Sequence, residues 1–148
     1  MVEQALEAAN SASPEEKAAL QGRCGSLQED LAAFAVVYSQ HLPDRERALV
    51  LALLPLVLDV FLRSGATFRT IRRAEILHAW KASAAFVRDL RTGVDGKGNV
   101  EPEVLLLVLD LLLETEPAEM EPEAPPLVAV RILKTVTDCL NRAGVQRR

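Results

Sequence analysis

The chain has 148 residues, of which 49% are hydrophobic and only 4% aromatic, and it carries a formal net charge of −4. A polypeptide of this length and apolar content can bury a core of its own, which excludes a chain disordered throughout. The acidic balance also argues against a domain devoted to gripping phosphate backbones. Leu, Ala and Val dominate, and these residues in long uninterrupted segments predict helices, since Leu and Ala lose little on entering one.

Ser13-Pro14-Glu15-Glu16 opens the first predicted helix, with Ser as N-cap, Pro in the first turn and Glu three residues after the Ser. Residues 1–13 ahead of it are expected to fray. Leu20, Cys24, Leu27, Leu31, Phe34 and Tyr38 then recur at alternating spacings of four and three, a heptad seam through residues 14–41. Gly22 and Gly25 weaken the helix, and Ser26-x-x-Glu29 can restart it, so this stretch is one long helix or a short one joined to a longer one. Gln21, Gln28, Glu29 and Asp30 suit a solvated outer face.

Leu42-Pro43-Asp44 breaks the chain and begins a second helix over about 44–63, closed by Ser64-Gly65 and expected to kink or split at Pro55. Thr67 is expected to cap a third, over about 68–91, ending at Thr92-Gly93. Residues 93–99 read as an exposed loop. Glu101-Pro102 begins a fourth helix, 102–115, and the acidic, Pro-rich connector 114–126 follows. Pro125-Pro126 opens the last helix, closed by Gly144. No useful strand pattern appears, so the expected class is all-α: a bundle of five or six helices.

The apolar stretches are too short for a membrane. Asp59 breaks the run from Ala48 to Leu58, and Asp110 ends the run from Val104 to Leu109, whereas a spanning helix needs ~20 apolar residues. Both aspartates are expected at the solvent margin of buried helices. The expected core is Leu51, Leu54, Leu58, Phe61, Leu105, Leu109, Leu112, Ile132, Leu133 and Val136.

Leu56-Val57-Leu58-Asp59 and Leu107-Val108-Leu109-Asp110 are identical strings 51 positions apart, as are Gly93 and Gly144. The echo suggests two helical hairpins, 42–97 and 98–148, stacked behind the N-terminal helix in the manner of a short HEAT or armadillo array.

Little in the sequence assembles chemistry. Glu75-x-x-His78 has the spacing of di-iron carboxylate bundles but occurs once, where such sites need it twice. His41 falls at a helix end, a structural place for a cation. Cys24 and Cys139 lack metal or redox spacing and read as core fillers with free thiols in a reducing, intracellular compartment. Gly93, Gly96 and Gly98 beside Lys97 lack the order of a phosphate loop, and Asp95, Asn99 and Glu101 lack that of a calcium loop. The expectation is therefore no enzyme, cofactor or metal.

Charge alternates along the chain. Residues 63–97 hold eight basic and three acidic groups, residues 98–126 eight acidic and none basic, and residues 127–148 five basic and one acidic. Such blocks suit internal or intermolecular complementarity. With the apolar excess they point to a non-catalytic protein–protein interaction or scaffold module, within a larger protein or complex. Self-association would run through the seam Leu20, Leu27, Leu31, Phe34 and Tyr38. The alternative is an anion or nucleic-acid face on the basic third helix, built from Arg69, Arg72, Arg73 and Lys81.

Overall fold

The computed structural model describes residues 28–63, 65–92, 119–121 and 123–146, together with Glu7, Ser11, Gly22 and residues 13–16 and 18–19. These residues are mostly helical and include a small ribbon. In chain order the elements are α1 (Glu29–Ser39), α2 (Asp44–Arg63), β1 (Ala66–Phe68), α3 (Arg73–Thr92), α4 (Pro125–Ala143) and β2 (Gly144–Gln146). Leu20, Cys24, Leu27, Leu105, Leu109 and Leu112 lie outside the described residues, as do the loop 93–99, the expected helix 102–115 and the second copy of the echo.

The last helix is the centre of the molecule. Pro125 and Pro126 occupy its first turn, where a missing N–H costs nothing. Leu127, Val130, Ile132, Leu133, Val136 and Leu140 are all at most 1% exposed. They point to several sides of the helix because α3, α2 and α1 all pack on it. Leu54, Leu58, Phe61, Ile132, Leu133 and Val136 fall in the core as expected, but Leu51 is only half-buried. It lies toward the open side of α2, next to exposed Ala52.

Ser13 behaves as a cap, accepting a hydrogen bond from the Glu16 N–H at 3.2 Å. A single unbroken helix over residues 14–41 is excluded at Gln28, which is not helical (φ −139°, ψ 69°), and α1 starts at Glu29. Gln28 is also not on a solvated face. It is 2% exposed, its Nε2 donates to the Arg69 carbonyl at 3.1 Å, and its Oε1 accepts from the Ile71 N–H at 3.0 Å. The side-chain amide thus pairs with backbone groups of residues 69 and 71, in the stretch between β1 and α3. Periodicity cannot reveal such a role, because the partner is 41 and 43 residues away in sequence.

Proline fails to split α2, which runs unbroken through Pro55. Leu53, Leu54, Leu56, Val57 and Leu58 around it are all buried. Their burial, worth ~1.5–3 kcal/mol per large side chain, offsets the ~3 kcal/mol cost of an interior proline. Asp59 sits at the solvent margin and accepts from Arg63 Nε at 2.7 Å, one turn on.

Beyond α2 the chain turns at Gly65, whose φ of +80° few other residues adopt. The expected helix start at Thr67 is overturned here, and so is the expectation of no strand. Residues 66–68 are extended and pair antiparallel with residues 144–146, in the register Ala66↔Gln146, Thr67↔Val145 and Phe68↔Gly144. Gly144 is correspondingly no left-handed helix cap: with φ −78° and ψ 132° it opens β2. A Cβ there would lie 3.1 Å from the Phe68 ring, which stacks edge-on against Phe61 with centroids 5.9 Å apart. Glycine leaves room for this close approach, whereas a Cβ would require its neighbours to shift by a few tenths of an ångström. Helix α3 starts only at Arg73, where the Glu75 carboxylate reaches back to the Arg72 N–H at 3.4 Å, as half of a capping box does.

Among the described residues, every buried side-chain nitrogen and oxygen has a hydrogen-bond partner.

Candidate functional site

Two concave features lie on opposite sides of α3. The first is a groove of about 300 Å³ between α1 and α3. Ala33, Phe34, Val37 and Tyr38 of α1 line it together with Ile76 and Leu77 of α3, and Asp30 and Arg73 supply charge. Behind it Phe34, Tyr38 and Trp80 form an aromatic cluster, with centroids 4.5 Å apart for Phe34–Tyr38 and 4.8 Å for Tyr38–Trp80. The Arg131 guanidinium lies 3.7 Å from the centre of the Trp80 ring. It also donates to the Ser83 hydroxyl at 2.8 Å and the Trp80 carbonyl at 2.7 Å. Partial burial lowers the Arg131 pKa, opposed by the nearby Tyr38.

Three members of the predicted seam fall within the described residues. Leu31 and Phe34 are buried, at 2% and 7% exposure, and Tyr38 is half-buried against Trp80. Their immediate partners are in their own chain. The outward side of α1 is instead formed by Ala33, Val36 and Val37, with Val36 44% and Val37 53% exposed. A two-spacing heptad count passes over these residues because they lie off the seam. A second count would have found them: after Asp30, α1 contains no charged residue.

The second feature is a cavity of about 310 Å³ between the start of α3 and the end of α4, lined by Arg69, Ala74, Glu75, His78, Cys139 and Arg142. The ribbon builds it. Because Phe68 pairs with Gly144, the next N–H, that of Arg69, donates to the Ala143 carbonyl at 3.3 Å. Two arginines from distant parts of the sequence thereby border one space. The Arg69 Nη1 donates to both Glu75 oxygens at 2.8 Å, and this hydrogen bond is the main cause holding the Glu75 carboxyl below its ordinary pKa. Cys139 forms part of the wall. Burial pushes its thiol up to about 12, so it stands there as a protonated, unreactive group.

The predicted basic face is divided by this arrangement. Arg69 lines the α3–α4 cavity, Arg73 lines the α1–α3 groove, and Arg72 and Lys81 are exposed on α3 and its lead-in. Sequence reasoning did not single out Arg131 or Arg142. No group of three or more His, Cys, Asp and Glu among the described residues could hold a metal ion. No helix among them is long and apolar enough to cross a membrane. No family model matches the chain, and no curated protein or solved structure matches it significantly.

Proposed function

We propose that the chain is a non-catalytic interaction module that associates with a second copy of itself through the outer face of α1. One observation carries the reading. From Leu31 to Tyr38 this helix is apolar on all sides, a composition that belongs to a fully surrounded helix, yet among the described residues it is covered on one side only. A second copy is the favoured occupant because the exposed patch carries no charge from Leu31 to Ser39, so a two-fold axis can lay it on its own image with no like charges opposed. The two-hairpin organisation of residues 42–97 and 98–148 belongs to the same proposal and rests on the sequence echo.

Sedimentation or light scattering over a range of concentrations tests the association. The protein is expected to pass from monomer to dimer as concentration rises, and Val36→Asp with Val37→Asp is expected to leave a folded monomer at all concentrations. A wild-type chain that stays monomeric throughout overturns self-association. Substituting Leu31 is not a substitute test, since Leu31 is core and its truncation is expected to cost ~2–5 kcal/mol of stability.

A second reading has its own observation: Arg72, Arg73, Lys81 and Arg88 are exposed on or next to α3. Mixed-sequence RNA and DNA titrated at rising salt separate it, since a phosphate binder loses affinity steeply and loses it altogether on charge reversal at Arg72 and Arg73.

A further inference from the structure

The α3–α4 cavity has an imbalance of charge that the described residues do not resolve. Two guanidinium groups border it against one carboxylate, and that carboxylate is already committed to Arg69 through two 2.8 Å contacts. The exposed Arg142 guanidinium is left on this surface without an ion pair among the described residues. From this geometry we infer that the cavity binds a small organic monoanion, a carboxylate on a compact apolar body, with Arg142 and His78 holding the carboxylate and Ala74 and Cys139 facing the apolar part.

Each alternative ligand class meets a specific obstacle. A cation meets two guanidiniums. A metal ion lacks a converging donor set among the described residues. A phosphate dianion or a nucleotide meets the Glu75 carboxylate on the same wall. Size agrees with a small ligand. A volume of about 310 Å³ is at the lower end of ligand pockets, the room of roughly ten water molecules. The apolar wall is the smaller part of the argument: Ala74 is short, and the buried thiol of Cys139 is a weak hydrogen-bonding group.

The site depends on the ribbon, because β1 and β2 hold Arg69 against the end of α4. It does not depend on association through α1, which lies across α3.

Benzoate is a suitable probe, with benzamide and benzamidine as neutral and cationic molecules of the same shape. Backbone and imidazole NMR signals of residues 74, 78, 139 and 142 are followed during titration of the full chain at constant salt. Benzoate is expected to shift them saturably, benzamide at least about tenfold more weakly, and benzamidine not at all. Arg142→Ala is expected to weaken benzoate about tenfold or more, the usual cost of one charge-assisted hydrogen bond, with Arg142→Lys falling between. Ala74→Leu is expected to abolish binding by filling the space while circular dichroism stays helical. Equal response to all three probes overturns the assignment, as does the absence of any saturable shift. Undiminished benzoate binding by both Arg142→Ala and Ala74→Leu also overturns it.

Discussion

Helices α1 and α4 invert the usual relation between composition and burial. After its first turn α1 has no charged residue, yet only Leu31, Phe34, Ala35 and Ser39 of its eleven residues are buried. By contrast α4 carries Arg131, Lys134, Asp138 and Arg142, yet twelve of its nineteen residues are buried and it holds the centre. Burial therefore follows position in the fold, and each helix pays differently for its place. Three of these four charges are met internally: Lys134 Nζ reaches Asp138 at 2.6 Å and lies 5.1 Å from the Phe86 ring centre, while Arg131 caps Trp80. The apolar surplus of α1 has no such internal answer among the described residues.

The contrast breaks most sharply under truncation. Leu133→Ala, at a position with 0% exposure, is expected to cost ~3–5 kcal/mol in chemical denaturation. Val37→Ser, on a residue 53% exposed, is expected to cost less than about 0.5 kcal/mol in the monomer. Similar losses at the two sites would mean that α1 is as enclosed as α4.

Arg131 gives the next largest effect. Replacing it by Ala removes the contact with Trp80 and the hydrogen bonds to Ser83 and the Trp80 carbonyl. The expected loss is ~2 kcal/mol, with near-ultraviolet circular dichroism of the single tryptophan changing in step. An unchanged melting curve would show that the charges of α4 are merely tolerated.

The smallest effect is in the pH profile, and Cys139 supplies it. In the unfolded chain its thiol ionises near 9.0, whereas in the fold it holds its proton up to about 12. Over that window the folded state binds a proton that the unfolded state has released. Stability is therefore complete below pH 9 and falls as pH rises, by ~1 kcal/mol per unit. Denaturation at pH 8, 9 and 10 is expected to show this decline in the wild type and a shallower one in Cys139→Ala. Parallel profiles would place the thiol in contact with water.

Much of this architecture was legible from local signals. The breaks at Leu42-Pro43-Asp44 and Ser64-Gly65, the start at Pro125-Pro126, and core positions such as Leu54, Leu58 and Ile132 all follow from turn chemistry and spacing. The ribbon was not legible, because the three residues after Gly65 and the three that begin at Gly144 become strands only through each other. Gln28 looked like a surface residue for the same reason: its partners are the backbone of residues 69 and 71. The candidate sites divide likewise. Arg69 and Arg73 stood out as a basic cluster, but their separation onto two sides of α3, and the meeting of Arg69 with Arg142, depend on the register of strands no short window contains. Val36 and Val37 were overlooked because a seam directs attention to the face it names.

The central place of α4 has a consequence for how the protein is made. Ribosomes deliver α1, α2 and α3 before residues 125–143 exist, so the faces that these helices turn toward α4 wait without it. Contacts that span most of the sequence also form slowly, since long loops must close first. The nascent chain thus passes through a sticky interval that ends only when α4 emerges. Arrest of translation before residue 125 should yield a chaperone-bound, protease-sensitive product, and release after residue 146 a resistant one.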